Sequence, residues 1–194
     1  YCDALAGRGM SATLFVVPDT ALEQGVLLQQ LAEETGAELA LHMHPQCWKD
    51  HYLNPDAHGY WGAYTGSDQH AMLLEALDQI GDCLGDRPRG FRGGNFSAND
   101  ETFRILTELG FTHGSISQPG RSMTRYQACW QDADPDVHFA HEAFRLIPGD
   151  LDFVEVPLTS DRERTEHWTG VGDVRIESAS ATEIAKAVRQ EVGR

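Results

Sequence analysis

The chain has 194 residues, about the length of one domain, and 41% of them are hydrophobic. No apolar run approaches the roughly 18 residues that span a bilayer, so no membrane span is predicted. The formal net charge is −15, from 30 acidic against 15 basic residues. Such a surface repels phosphate backbones and anionic headgroups, which argues against nucleic-acid and membrane-surface binding.

The four cysteines are scattered along the chain, and no two of them form a CxxC pair. This spacing does not match a zinc ribbon or a thioredoxin-like site, and it requires no disulfide framework. The compartment is therefore undecided, with a soluble cytoplasmic protein slightly favoured over a secreted one.

The first part of the chain alternates between strand and helix patterns. Residues 11–17 (SATLFVV) form a β-branched and aromatic run that predicts a buried strand. A helix capped by Asp19 or Thr20 should follow, with one apolar face made of Leu22, Val26, Leu27, Leu31 and Ala32. Residues 37–42 predict the next strand. A strand–helix–strand unit of this kind indicates a parallel sheet with a right-handed crossover.

The second part begins with a long loop, residues 45–68, that is rich in aromatic side chains. Loops of this length with so many aromatics are typical of functional segments, so Trp48 and Trp61 are candidates for stacking on a sugar. The alternative for both is packing in the core. Helices and strands are then predicted in the order 71–84, 90–92, 99–109, 112–117 and 152–158. Residues 119–150 carry no regular pattern. Together these elements predict one α/β domain over residues 1–194.

Both ends of the chain carry helix signals. Residues 1–8 resemble the last turns of a helix, and residues 180–183 (SATE) form a capping box that opens another. We therefore expect the domain to be incomplete at both ends, so that part of its active site lies outside these residues.

The sharpest chemical pattern is the pair His42 and His44, at the predicted end of the second strand. Ligands gather at the carboxyl ends of strands in parallel α/β folds. Two imidazoles that flank one residue of an extended segment point to the same side, so both can reach one metal ion. The alternative is a pair of ordinary loop histidines, one of them bonded to a backbone carbonyl.

A second pattern, residues 90–95 (GFRGGN), places Arg92 at the end of another predicted strand. Glycines let the backbone approach a ligand closely, and a guanidinium offers a fork for a carboxylate. The spacing matches neither a dinucleotide fingerprint nor a Walker loop. Gly93 and Asn95, and Ser115 after the next strand, are candidates for substrate contact. The alternative is a turn with a surface arginine.

Four segments together resemble the polysaccharide deacetylase (NodB homology) family, of the carbohydrate esterase type, in order and spacing: 11–17, 38–45, 87–95 and 101–111. The resemblance implies a distorted (β/α) barrel, here apparently truncated at both ends. It also implies a divalent metal, usually zinc, held by one aspartate and two histidines. Members of this family remove N- or O-acetyl groups, or split related amides, with metal-bound water.

The resemblance also assigns roles to individual residues. His42 matches the family's first histidine ligand, and Arg92 matches the arginine that orients the catalytic aspartate. The family's aspartate pair would precede the first residue, and its general-acid histidine would follow the last. The second histidine usually comes four residues after the first, where this chain has Gln46. We favour His44 as the second ligand, because a neutral imidazole binds zinc-like metals better than an amide oxygen does.

The predicted function is a metal-dependent hydrolase that removes acetyl groups, or cleaves a related carbon–nitrogen bond, in a carbohydrate or a small amide. The alternative is a catalytically inactive member of the same fold that binds carbohydrate. A phosphoesterase would need a further cluster of aspartate and histidine ligands for a second metal, which the sequence does not offer. Neither nucleic acid nor a membrane is an expected partner.

Overall fold

A sheet of six strands runs through the part of the chain that the computed structural model describes, which is residues 1–45, 59–166, 170–174 and 179–192. The strands of this part are β1 Thr13–Val16, β2 Glu38–Met43, β3 Gly90–Gly93, β4 His113–Gly114, β5 Ser122–Met123, β6 Ala128–Cys129, β7 His138–Phe139, β8 Val154–Glu155, β9 Ser160–Glu166 and β10 Gly170–Asp173. Its helices are α1 Cys2–Ala6, α2 Pro18–Thr35, α3 Gly66–Ile80, α4 Thr102–Glu108 and α5 Ala181–Val192. None of these helices is long and apolar enough to cross a membrane.

The main sheet has the strand order β1-β2-β3-β4-β8-β7. The first five strands in this order are parallel to their neighbours, and β7 pairs with β8 in the antiparallel direction. Within the described ranges β1 and β7 are the two edges, so the strands form an arc of a (β/α) fold. The alternation of parallel strands and helices confirms the predicted α/β class.

The crossover from β1 to β2 runs through α2. This helix begins at Pro18, and Val17 occupies its N-cap position without a side-chain hydrogen bond. The prediction that Asp19 or Thr20 caps the helix was therefore wrong. Proline starts the helix because its fixed φ and its missing N–H suit the first turn.

The buried face of α2 also differs from the prediction. Three residues expected to face the core are largely exposed: Leu22 (52%), Val26 (72%) and Leu27 (60%). The helix instead buries the small residues Ala21 and Gly25. A Cβ atom at Gly25 would collide with the carbonyl group of Cys83, so the two backbones are in close contact. Close backbone approach, which requires small residues, has overridden the apolar periodicity here.

The hydrophobic core lies between the sheet and helices α3 and α4. Leu41 and Met43 of β2 and Phe91 of β3 are fully buried. The inner face of α3 adds Met72, Leu73, Ala76, Leu77 and Ile80. Since alternate residues of a strand point to opposite faces, the burial of Leu41 and Met43 turns His42 away from them.

Two helix starts show how local capping acts. α3 begins earlier than predicted, because the Thr65 hydroxyl accepts a hydrogen bond from the Asp68 backbone N–H at 3.3 Å. The predicted capping box before α5 is confirmed. The Ser180 N–H donates to the Glu183 carboxylate at 2.7 Å, and the Glu183 N–H donates to the Ser180 hydroxyl at 3.3 Å.

The segment without a regular sequence pattern, residues 119–150, contains short elements. It holds the antiparallel pair β5–β6 and the strand β7. Strands of two residues are too short to show the alternation by which a strand is predicted.

Candidate active site

The residues predicted to carry chemistry meet where the parallel strands end. His42 of β2 lies opposite Arg92 of β3 in the strand register. Ser115 directly follows β4, and Glu155 ends β8, the next strand in the sheet. The carboxyl ends of parallel strands share one edge, so four separate segments contribute to the same site.

The two histidines converge on one point. Nε2 of His42 lies 2.9 Å from Nε2 of His44, and the rings are nearly perpendicular, with an interplanar angle of 89°. Two nitrogens that bind one tetrahedral zinc ion at about 2.0–2.1 Å lie about 3.3 Å apart. A small opening of the pair would therefore give both nitrogens the spacing of metal ligands.

The neighbouring strand sets the tautomer of His42. Its Nδ1 lies 2.8 Å from the backbone oxygen of Arg92, which only accepts, so Nδ1 carries the proton. Nε2 is then unprotonated and faces His44. Burial is the main cause that lowers the pKa of His42, to about 4, so the ring is neutral near pH 7. Burial lowers the pKa of His44 as well. A neutral imidazole held by a carbonyl is the usual form of a histidine ligand.

The adjacent glycines of the GFRGGN segment are required by close contacts. A Cβ atom at Gly94 would overlap the ring of His44, and one at Gly93 would overlap the backbone oxygen of Ser97. Only glycine lets the turn after β3 approach both groups so closely. The position of the His44 ring therefore depends on Gly94.

Arg92 is held firmly at the wall of the site. Its Nε donates to the backbone oxygen of Ser115 at 2.8 Å, and its Nη2 donates to the Ser115 hydroxyl at 2.7 Å. The guanidinium carbon lies 4.2 Å from the ring centre of Phe15 and 5.3 Å from that of Phe96. These contacts fix the orientation of the fork, as bidentate recognition requires.

The turn after β3 contains strained backbone. Asn95 and Phe96 both have φ of 57°, a left-handed conformation that asparagine tolerates and that is rare for a bulky residue. The backbone oxygen of Phe96 accepts a hydrogen bond of 2.7 Å from the indole of Trp130, which is fully buried. Strain of this kind persists where surrounding contacts hold it, often at a functional site.

A pocket of about 520 Å³ lies over these residues. One wall consists of residues from β2, β3 and the turn after β3: His42, His44, Arg92, Gly93, Asn95 and Phe96. The opposite wall consists of Gln118, Arg121, Met123 and Tyr126. Among the described residues that line the pocket there is no aspartate or glutamate, although the chain carries a net charge of −15. The described lining thus carries two guanidinium groups, and Glu155 interacts electrostatically with one of them, that of Arg92.

The predicted substrate contacts have different positions. Gly93 and Asn95 lie on the pocket wall, while the hydroxyl of Ser115 faces Arg92. Within the described residues, Ser115 is thus placed to position the guanidinium.

The predicted aromatic contacts require a correction. Trp61 is fully buried and packs against Phe91, with ring centres 5.5 Å apart, so its indole belongs to the core rather than to a groove wall. Its aromatic surface is removed from water by packing against the sheet, which is the alternative that the sequence left open. Trp48 and Gln46 lie outside the described residues.

Two of the described side chains could hold a metal ion. His42 and His44 are neutral imidazoles that share one focus, which suits zinc and similar cations. Among the described residues, no group of three or more histidine, cysteine, aspartate or glutamate side chains is placed to hold a metal ion. The chemistry of the pair fits such an ion, and its spacing would fit after a small opening of the 2.9 Å contact.

The opposite wall was not identified from the sequence. Gln118, Arg121, Met123 and Tyr126 match no catalytic or binding motif. The signal that could have located them is Pro119–Gly120, a turn dipeptide directly after a predicted strand.

Comparisons with known proteins place this site in a known type of fold. No protein-family model matches the chain, and no curated protein matches it. Among solved structures it is similar to a protein assigned as a polysaccharide deacetylase from Mycobacterium smegmatis. The TM-score is 0.56 at 15% sequence identity, over 99% of this chain and 56% of that one. It is also similar to a PuuE allantoinase, with a TM-score of 0.48 at 16% identity, over 82% of this chain and 42% of that one.

The likeness to the deacetylase shows the fold. The chain has the polysaccharide deacetylase type of α/β fold, as the sequence resemblance implied. It spans about half the length of that structure, 56% of its residues.

Proposed function

We propose that the protein is a metal-dependent hydrolase that removes an acetyl group, or cleaves a related carbon–nitrogen bond that is not a peptide bond, from a sugar or a small amide. The observation that carries this proposal is the convergence of two histidine nitrogens, 2.9 Å apart, at the carboxyl edge of the sheet. The solved structure with this fold is assigned as a polysaccharide deacetylase, which supports the same class of reaction.

His42 and His44 are the proposed metal ligands, and zinc is the metal that their chemistry favours. When bound, such an ion makes hydroxide available near pH 7 and stabilises negative charge on a carbonyl oxygen. The hydrogen bond from His42 to the backbone of Arg92 keeps the Nε2 lone pair of His42 directed toward His44 at the pocket wall.

Arg92 is the proposed positioning residue. Its Nε and Nη2 atoms are bonded to Ser115, so the remaining edge of the guanidinium is held in one orientation. A carboxylate placed against it would stay ionised at neutral pH, as a general base must, because a nearby cation favours the charged form. The same role follows from the family resemblance, in which the matching arginine orients an aspartate.

The proposed substrate site is the pocket of about 520 Å³ next to the histidines. Gly93 and Asn95 supply polar backbone and side-chain groups on its wall, and Phe96 supplies an apolar surface. A mixed lining of this kind suits one acylated sugar ring or a molecule of similar size.

Release of acetate from acetylated oligosaccharides tests the proposal. We expect zinc-loaded protein to release acetate, a chelator to abolish the release, and added zinc to restore it. His42→Ala should remain inactive after zinc is added, whereas His70→Ala, on α3 away from the pocket, should behave as wild type. Chelator-resistant acetate release would refute metal dependence.

The second candidate is a catalytically inactive protein that binds carbohydrate. The observation in its favour is that the described residues supply two metal ligands and not three. It predicts saturable binding of acetylated oligosaccharide, with unchanged ligand recovered after prolonged incubation with zinc. Mass spectrometry of the recovered ligand distinguishes the two candidates.

A further inference from the structure

A buried carboxyl group lies behind the wall of the pocket that carries Arg92. Glu155 is fully buried on β8, where it pairs with Gly114 of the neighbouring strand β4. Its Oε1 atom accepts three hydrogen bonds, while its Oε2 atom has no hydrogen-bond partner among the described residues. Burying a carboxyl group with one oxygen unpaired costs more free energy than burying an apolar side chain of similar size. Stability alone therefore does not explain a glutamate at this position.

The three donors belong to the two buried residues Ile116 and Ser117. The N–H of Ile116 donates to Oε1 of Glu155 at 2.9 Å, and the N–H of Ser117 donates to it at 2.7 Å. The hydroxyl of Ser117 donates to the same oxygen at 2.8 Å. Both N–H groups come after the last residue of β4, so a side chain supplies the acceptor that a paired strand supplies elsewhere. Glu155 thus fixes the backbone directly after β4.

A single peptide unit connects Glu155 to Arg92. The carbonyl of Ser115 and the N–H of Ile116 belong to the same planar group, in which they point in opposite directions. The carbonyl oxygen accepts from Nε of Arg92 at 2.8 Å, and the N–H donates to Glu155 at 2.9 Å. A rotation of this peptide plane would break both hydrogen bonds together. The carboxyl group on one side therefore fixes the direction of the acceptor for the guanidinium on the other.

Two electrical effects act in the same direction as this geometry. An acceptor on the N–H of a peptide unit polarises the unit, which makes its carbonyl oxygen a stronger acceptor for Arg92. Burial, the larger cause, lowers the pKa of Arg92, and the nearby Glu155 opposes this effect. Glu155 thus favours the charged guanidinium as well as its orientation.

We propose that Glu155 is a positioning residue of the active site, which holds Arg92 in its working orientation through the peptide unit between Ser115 and Ile116. The proposal rests on the proposed function, in which Arg92 orients a carboxylate. Glu155 is absent from the described lining of the pocket, so it acts through Arg92 and not on the substrate.

Nuclear magnetic resonance tests the link between the two residues without any assay of activity. The Nε–H of Arg92 is bonded and half-buried, and its signal is identified by its loss in Arg92→Lys. Glu155→Leu removes the acceptor, so we expect this N–H to exchange with solvent about tenfold faster or more. Glu155→Gln keeps an oxygen in the same place and should restore slow exchange.

Steady-state kinetics of acetate release tests the consequence for the reaction. In zinc-loaded protein, we expect Glu155→Leu to lower kcat about tenfold or more and to leave KM nearly unchanged, because a misplaced group slows the chemical step. Glu155→Gln should recover most of the lost kcat. A Gln variant as slow as the Leu variant, or wild-type kcat in the Leu variant, would overturn the proposal.

Thr102→Val is the matched control for lost stability. The Thr102 side chain is fully buried on α4, and its hydroxyl donates to Gln69 at 2.9 Å. The control should lower the melting temperature and leave both kcat and the exchange of the Arg92 Nε–H at wild-type values. If Glu155→Leu fails to fold, Ser117→Ala decides, because it removes only one of the three bonds to Glu155. Wild-type exchange of the Arg92 Nε–H in Ser117→Ala would then overturn the proposal.

The two readouts separate this proposal from the proposed function. Faster exchange in Glu155→Leu and slow exchange in Glu155→Gln, without acetate release by the wild-type protein, would refute the hydrolase and leave the link from Glu155 to Arg92 standing. Acetate release by the wild-type protein, with wild-type exchange and kcat in Glu155→Leu, would leave the hydrolase standing and refute the role of Glu155.

Discussion

His42 and Arg92 are paired across two parallel strands, and the ring Nδ1 of His42 donates to the backbone oxygen of Arg92 at 2.8 Å. Arg92 of β3 thus has two functions in the site. Its backbone sets the tautomer of the imidazole, and its side chain forms a cationic wall of the pocket. A shift in the register of β2 against β3 would disturb both at once, because side chains alternate between faces along a strand.

Loss of either histidine should abolish metal binding. We expect the wild-type protein to retain about one zinc ion after dialysis, and His42→Ala and His44→Ala to retain none, because each variant removes one of the two described ligands. Elemental analysis by mass spectrometry measures the zinc content. Stoichiometric zinc in both variants would end the ligand assignment. His70→Ala, which leaves the pair intact, is the control.

Gly94→Ala should weaken metal binding without touching a ligand. The added methyl group would overlap the ring of His44 and displace it from His42. Displacing groups that orient a ligand lowers metal affinity about 10–100-fold, and we expect a loss of this size in a competition assay with a chromophoric chelator.

Gly9→Ala is the control for this experiment. A Cβ atom at Gly9 meets nothing within 4 Å, although the residue has φ of 67°. The control should lower stability through backbone strain and leave zinc affinity unchanged. Equal zinc affinity in the Gly94 variant and wild type would show that the pair does not need its observed geometry.

Substitutions on either side of the contact between Arg92 and Ser115 should lower the turnover rate to different extents. Ser115→Ala removes one acceptor from a charged donor, a bond worth about 1.5–3 kcal/mol, so kcat should fall at least about tenfold. Arg92→Lys cannot reproduce a planar fork, and misplacement of about 1 Å at a catalytic site can reduce the rate about 100-fold.

Steady-state kinetics with separate kcat and KM values checks this prediction. A positioning role lowers kcat more than it raises KM, and thermal unfolding shows whether the fold has survived. Arg104→Lys, at a surface position paired with Glu108, should change neither constant. Wild-type turnover by Arg92→Lys would remove the arginine from the mechanism.

Glu155 should make stability depend on pH. This carboxyl is fully buried, and burial, the largest cause, raises its pKa above the ordinary value of 4.5, while bonds from Ser117 and Ile116 and the nearby His138 oppose the shift. A raised folded-state pKa means that the native protein binds the proton more tightly than the unfolded chain does. The contribution to stability is therefore complete below pH 4.5 and is lost as pH rises through the folded-state pKa.

Glu155→Gln removes this titration and keeps an oxygen to accept the hydrogen bonds from residues 116 and 117. We expect the free energy of unfolding of the variant to gain on wild type as pH rises from about 4.5 to 8. Urea unfolding at several pH values measures the difference. A difference that stays flat, or that moves in the wild-type protein's favour as pH rises, would contradict the raised pKa.

Local sequence patterns predicted most of the strands that carry the site residues. β2 ends where the alternation of apolar residues ends, and β3 contains Arg92 as expected. The strand–helix–strand order correctly predicted parallel pairing. These features depend on residues a few positions apart, which is the range over which periodicity and capping act.

Packing decided the remaining features. The small residues of α2 face the core because the backbone at Gly25 packs closely against the carbonyl group of Cys83, which is a contact between distant segments. Trp61, a candidate for either a surface groove or the core, is buried against Phe91, which is another contact between distant segments. Composition and periodicity indicate that a side chain is apolar, but they do not indicate which distant surface covers it.

The sequence by itself determined that His42 and His44 share one side of the chain at a strand end, because alternate residues of an extended segment face the same way. Only the tertiary structure decided that the backbone of Arg92 orients His42 and that Gln118 and Arg121 line the same pocket as the pair. Those relationships join segments that are far apart in the chain. They exist because parallel register brings the carboxyl ends of separate strands to one edge.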